Sequence, residues 1–227
     1  MELINIILSE KEWNKDLVLS LRDKYKNSEW RLINNKLDFT IEALEMMNID
    51  KIFIPHWSYI IPKEIYSNYE RIVFHMTDLP YGRGGSPLQN LILRGFKETK
   101  ISAIRVEQGI DTGPIYLKSK LSLNGTAEEI FKRSSRKIHK MILKILENQI
   151  IPTPQKGEHS IFKRRKPEES NIINLSDIHH VFDHIRMVDC KGYPKAFIEN
   201  EFIKFEFTKA KMKSKDEILA NVRIFKK

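Results

Sequence analysis

The sequence predicts an α/β protein: a mostly parallel, twisted sheet flanked by helices, followed by a small C-terminal unit of helix and strands. Two observations carry this expectation. Short apolar runs of strand length alternate with segments whose apolar residues recur at helical spacing, as in chains of βα units. Beyond Pro152 and Pro154 the pattern changes to one helix followed by closely spaced strands.

In chain order, Leu3 to Leu8 is an apolar run suited to a buried strand. Trp13, Leu17, Leu21 and Tyr25 recur at helical spacing, so Lys11 to Lys26 reads as an amphipathic helix. Trp30 to Ile33 reads as a second strand, and Phe39, Ile41, Leu44 and Met47 mark another helix. Lys51 to Ile54 is a strand that runs into Pro55-His56-Trp57-Ser58. Pro62 to Ser67 reads as a short helix and Arg71 to His75 as a buried strand. Met76 to Ser86 holds Pro80, Gly82, Gly84 and Gly85 and must be a loop. Pro87 suits a first helical turn, where its missing N–H has no partner to lose. Ile101 to Val106 and Ile115 to Leu121 read as strands joined by a turn over 108–113. Thr126 and Glu129 are spaced as a capping box. They open a helix with the buried stripe Ile130, Phe131, Ile138, Met141, Ile142 and Ile145, ending near Asn148. The tail predicts a helix from about Ser176 to Val188. Strands follow at Lys195–Glu199, Phe202–Thr208 and Ile218–Phe225, with a hairpin turn at Glu199-Asn200-Glu201. The expected division is a catalytic domain over 1–152, a linker over 153–170 and a β-rich domain over 171–227.

Composition narrows the classes. The chain has 227 residues and a single cysteine, Cys190, so neither an intrachain disulfide nor a Cys-based metal site is possible. Apolar stretches reach only about eight residues, far short of a membrane span. Met1 to Leu8 lacks a basic flank and a small-residue cleavage site, so a signal peptide is not expected. A cytoplasmic location follows as the expectation. The net charge is +9, with +4 on residues 1–150 and +5 on the shorter remainder, which suits an anionic partner. The loop after the first strand, Ser9-Glu10-Lys11-Glu12, has no glycine to approach a pyrophosphate, which disfavours dinucleotide binding.

Two features carry chemistry. His75 ends a buried strand and enters the loop Leu79-Pro80-Tyr81-Gly82-Arg83-Gly84-Gly85. Open α/β sheets place ligands beyond the C-terminal ends of their strands, and a histidine there can move protons near neutral pH. A lone histidine is more often a core residue, but the adjoining glycines let the backbone approach a ligand. Asp111, within Gly109-Ile110-Asp111-Thr112-Gly113-Pro114, is by itself a common turn former. Turned toward a cleft, it would orient the histidine. His180 and His184 share a helical face, but with no third ligand evident they read as surface histidines. Lys163 in the basic cluster of the linker reads as solvated.

The segment His75-Met76-Thr77-Asp78-Leu79-Pro80-Tyr81-Gly82-Arg83-Gly84-Gly85-Ser86-Pro87 resembles the H-P-S-L-L-P-x-x-x-G-x-x-P loop of folate-dependent formyltransferases. Gly109 to Gly113 resembles that family's G-L-D-T-G motif, and Arg165 to Ser170 its interdomain junction. The resemblance implies a Rossmann-like formyltransferase domain, 10-formyltetrahydrofolate as formyl donor and no metal. It implies His75 and Asp111 as catalytic residues. The family's usual asparagine, two residues before the histidine, is Val73 here; His56 and Asn90 are the candidate substitutes. The resemblance places the folate among Trp57, Ser58, Tyr59, Ile60, Leu79, Gly109, Ile110 and Asp111. It places the acceptor near Met76, Thr77, Tyr81, Gly82, Arg83, Gly84 and Arg164. The expected acceptor is the amine of a nucleotide-linked 4-amino-4,6-dideoxy sugar, of the kind that precedes pseudaminic acid. The expected partners are therefore the folate and a nucleotide sugar, with no nucleic acid and no membrane, and a homodimer through the exposed aromatics of the tail is conceivable. A methionyl-tRNA formyltransferase is the alternative, set second because the 57 residues after 170 look too few for its C-terminal barrel. A non-catalytic RNA-binding protein leaves His75, Asp111 and the glycine loop unexplained.

Overall fold

The computed structural model describes residues 3–227. Met1 and Glu2, on which the leader expectation partly rests, lie outside the described residues. The strands are β1 (Ile4–Leu8), β2 (Glu29–Ile33), β3 (Ile49–Pro55), β4 (Glu70–His75), β5 (Arg83–Gly84), β6 (Glu98–Arg105), β7 (Ile115–Ser122), β8 (Ile161–Phe162), β9 (Ala196–Glu199), β10 (Ile203–Ser214) and β11 (Glu217–Lys226). The helices are α1 (Lys15–Lys24), α2 (Ile41–Glu45), α3 (Lys63–Asn68), α4 (Pro87–Leu93), α5 (Ala127–Asn148) and α6 (Ile178–Arg186).

The chain forms two compact units. The first gathers the chain up to Arg83 with Thr99–Leu121 and Lys132–Ile161. Its sheet runs β2-β1-β3-β4-β6-β7, with β1, β2, β3 and β4 parallel and β6 antiparallel to β4. Every residue of β1 is buried, as expected of a parallel strand covered on both faces. One face packs Ile4, Ile6 and Leu8 with Ile52, Ile54, Leu44 and Ile65. The other stacks Trp30, Phe53 and Phe74, with ring centroids 5.9 and 6.5 Å apart. Each such side chain stabilises the fold by roughly 1.5–3 kcal/mol. Because β3 and β4 are neighbours running the same way, the segments after them, which begin at His56 and Met76, leave the same edge of the sheet.

The second unit gathers Gly84–Glu98, Ser122–Phe131 and Phe162–Lys227. Its sheet runs β11-β10-β9, both pairs antiparallel. The Asp177 carboxylate caps α6 by accepting from the His180 amide at 2.8 Å. The buried Arg186 guanidinium donates to the carbonyls of Leu123 and Gly125 at 2.7 and 3.0 Å. Asn200 Oδ1 accepts from the amides of Phe202 and Ile203, which makes the hairpin turn expected there.

The capping box at α5 forms: Glu129 N donates to Thr126 Oγ1, and Thr126 N donates to Glu129 Oε2. The expected stripe is buried. Four expectations need revision. The first helix starts with a short 3-10 turn over Glu12–Asn14, and α2 is only Ile41–Glu45. β10 runs on to Ser214, well past Thr208, because irregular pairing with β11 after Thr208 lets the hairpin continue. Residues 153–162 are not a free connection: Thr153 pairs with Ile115 and β8 forms a ladder with β5.

Candidate active site

His75 stands at the end of β4, buried to 7% exposure, and its ring is held from both sides. Nε2 lies 2.8 Å from the Gly82 carbonyl oxygen, which can only accept, so Nε2 carries the hydrogen. Nδ1 lies 3.3 Å from Asp111 Oδ2. The Thr77 hydroxyl also donates to the Gly82 carbonyl, at 3.2 Å. The glycine loop thus fixes the histidine tautomer through its own backbone, and the nitrogen facing the carboxylate is Nδ1.

Asp111 reaches His75 because its backbone is left-handed, with φ 53. That conformation costs a non-glycine residue about 1 kcal/mol or more and needs support. The support comes from Gln155, whose Nε2 donates to the Asp111 and Gly113 carbonyls, each at 2.8 Å. Gly113 allows the turn to lie against β6, since a Cβ there would sit 1.8 Å from the Arg105 carbonyl oxygen. Gln155 Oε1 accepts from Arg83 Nε and an Arg83 terminal nitrogen, at 3.2 and 2.7 Å. Ser160 completes the clamp: its hydroxyl accepts from the Gly82 amide at 2.8 Å, and its carbonyl from the Arg83 amide at 2.9 Å. Gln155 and Ser160 lie in the stretch expected to be a linker, where no sequence pattern marks them.

The first residues after His75 are braced by β6 and β7. Ser102, opposite His75 in the register, donates to the Thr77 carbonyl at 2.7 Å and accepts from the Leu79 amide at 3.2 Å. Lys118 donates to the Leu79 carbonyl and to Asp78. Burial pushes the Asp78 carboxyl up, but its hydrogen bonds to Lys118 and Lys100 outweigh that and hold it low.

Of the expected folate-site residues, Trp57 is half-buried and packs edge-on against Phe39 and Tyr59. Ser58, Tyr59, Ile60, Gly109 and Ile110 are exposed, and Ile60 and Ile110 leave 86% and 65% of their surface open. Leu79 is fully buried with both backbone groups engaged. Among the expected acceptor-site residues, Met76 and Thr77 are buried in the base of the loop, and Tyr81 and Arg83 are half-buried. In the second unit, Gly84 has φ 99 and Arg164 is exposed, its backbone so near Gly85 that a Cβ there would lie 2.6 Å away.

Val73, at the family's asparagine position, packs against the apolar core. Asn90 donates to the carbonyls of Gly85, Ser86 and Lys163 and accepts from Arg94, so its amide is fully used inside the second unit. His56 sits at the edge shared with His75 but belongs to a buried network. Asn14 Nδ2 lies 3.3 Å from His56 Nδ1 and 2.8 Å from Ser9 Oγ, and Asn14 Oδ1 accepts from the Ser135 hydroxyl at 2.9 Å. Burial pushes His56 down to about 3, and the charge of Lys11 adds to the effect. His56 is therefore neutral near pH 7. In the tail, His184 Nδ1 lies 2.8 Å from the His180 carbonyl, which occupies that nitrogen within the helix.

Known proteins resemble the chain in sequence and in fold. The model of the formyl transferase family matches residues 10–146, and that of the methionyl-tRNA formyltransferase C-terminal domain matches residues 167–225. The solved structure of methionyl-tRNA formyltransferase from Clostridium thermocellum is 46% identical, covers all of both chains and superposes with a TM-score of 0.95. The curated methionyl-tRNA formyltransferase of Rickettsia felis is 28% identical over 160 residues, 68% of this chain. The chain spans about half the length of the curated relatives it matches (51% of the Rickettsia protein). A sugar N-formyltransferase from a Shewanella species shares the fold at a TM-score of 0.66 but only 14% identity, over 88% of this chain and 94% of that one. These findings overturn the acceptor expected from the sequence, a nucleotide-linked amino sugar, and with it the expectation of no nucleic-acid partner. The 57 residues after 170 are not the whole of the second unit, which also draws in Gly84–Glu98 and Ser122–Phe131. The chain belongs to the formyl transferase family of enzymes.

Proposed function

We propose that this chain is a methionyl-tRNA formyltransferase, moving a formyl group from 10-formyltetrahydrofolate to the amino group of methionyl-tRNA. The end-to-end likeness to the Clostridium thermocellum enzyme carries this reading. The site suits the chemistry. Tyr59, Ile60 and Ile110 leave apolar surface exposed of the kind a flat heteroaromatic ring would cover, and Ile110 precedes Asp111 of the His75 pair.

The formyl donor supplies an activated carbonyl. When the amine attacks its carbon, charge develops on the carbonyl oxygen, and His75 stabilises it by turning its Nε2–H from the Gly82 carbonyl to that oxygen. Asp111 holds the imidazole in register and accepts the proton leaving the attacking nitrogen. That proton is passed to the folate nitrogen as its bond to the formyl carbon breaks, giving a formamide and tetrahydrofolate. No net proton or electron is gained or lost. Such proton handling is worth about 10²–10⁴ in rate.

The test is mass spectrometry after incubation with 10-formyltetrahydrofolate and methionyl-tRNA. One added carbonyl unit on the methionyl group is expected. No gain there, with a gain on another amine, would overturn the reading. His75→Ala and Asp111→Asn should each lower kcat by roughly 10² or more with an unchanged circular dichroism spectrum. Near-normal turnover in either would show that the pair is not the catalytic centre.

A further inference from the structure

We propose that the outer face of α5 is a docking surface for the phosphate backbone of the tRNA; this rests on the methionyl-tRNA reading. Between Ile130 and Leu146 the helix carries Lys132, Arg133, Arg136, Lys137, Lys140 and Lys144 and no carboxylate. Lys132, Arg136, Lys140 and Lys144 are exposed and four residues apart, so they form one row about 18 Å long. The opposite face is filled by Ile130, Ile138, Met141, Ile142 and Ile145, so the row faces away from the core.

Four observations set this row apart from an ordinary solvated face. Among the described residues, Arg136, Lys137, Lys140 and Lys144 make no ion pair, whereas other exposed lysines do: Lys24 with Glu147 and Lys213 with Glu217. Like charges four apart repel: Lys132 with Arg136, Arg136 with Lys140, Lys140 with Lys144 and Arg133 with Lys137. That repulsion weakens the helix, and a bound polyanion would reverse it. Steps of about 6 Å along the row are close to the spacing of successive phosphates on a nucleic-acid strand, so a phosphate chain can engage the whole row. A small anion would meet one or two members. The row also begins at the functional edge of the sheet. The Ser135 hydroxyl is bonded to Asn14, which follows β1 and lies 3.5 Å from the Pro55 carbonyl at the end of β3.

The test is the full chain carrying Arg136→Gln, Lys140→Gln and Lys144→Gln together. All three side chains are exposed, and a thermal melt checks folding. The slope of log Kd against log salt for methionyl-tRNA should become shallower by about 2 to 3. KM for methionyl-tRNA should rise about tenfold or more at low salt, with kcat unchanged. A variant with Lys140→Arg and Lys144→Arg should keep wild-type binding. Unchanged Kd and slope in the triple variant, with an active wild type, would overturn the proposal and leave the methionyl-tRNA reading intact. Loss of binding to phosphatidylserine vesicles with RNA binding unaltered would also overturn it. A wild type inactive on methionyl-tRNA would instead defeat the reading beneath it.

Discussion

Gln155 reaches back 44 residues to brace the Asp111 turn, its Nε2 donating to the carbonyls of both Asp111 and Gly113. In Gln155→Ala both carbonyls lose a partner and the left-handed Asp111 loses its brace. We expect kcat to fall about 10–10²-fold through misplacement of the carboxylate, with KM for the folate little changed; steady-state kinetics checks the split. His56 makes a different prediction. Its folded pKa lies near 3, below the unfolded value of about 6.5, so the folded state favours the neutral ring. The stability this gives is fully present above about pH 6.5 and is lost as the pH falls toward 3. Urea midpoints compared at about pH 7.5 and pH 5 should drop further for the wild type than for His56→Gln. At this scale the sequence showed His75 and Asp111, because both sit in motifs. It did not show Gln155, Ser160 or Ser102, which act through single hydrogen bonds and leave no periodic trace.

Among the elements, the turn between β6 and β7 depends on one backbone approach. Gly113 lies so close to the Arg105 carbonyl that Gly113→Ala must push the turn off the strand. We expect a loss of ~1–3 kcal/mol in unfolding free energy from overpacking, read from the denaturant midpoint. Activity should fall with it, since Asp111 is two residues away. The strands and α5 were legible because burial on a sheet or helix face imposes a period. The short helix α3 was legible too, and α2 in place though not in extent. The segment 153–162 was not: its conformation is set by tertiary partners, Thr153 by Ile115, Ser160 by Gly82 and Arg83, and Gln155 by Asp111.

For the molecule as a whole, the net charge of +9 says nothing of where the charge lies. A row of six basic residues without a carboxylate lies in the middle of α5, and averaging over 150 residues hides it among distant carboxylates. If the acceptor is a tRNA, raising salt from about 50 to 200 mM should weaken wild-type binding by about tenfold or more. The thermal midpoint should shift little over the same range, because exposed ion pairs contribute little to stability. A flat salt response would count against any extended phosphate contact.

The brace from Gln155 and Ser160 also orders events in time. A chain made from its N-terminus displays His75 and then Asp111 well before residues 155–160 exist. Until those residues arrive, the Gly82 amide lacks its bond to Ser160 and the Asp111 and Gly113 carbonyls lack theirs to Gln155. An abortive fragment that ends within α5 would therefore hold His75 and Asp111 without the brace from Gln155 and Ser160. Competence would arrive late in synthesis, when the segment after α5 locks the two loops together.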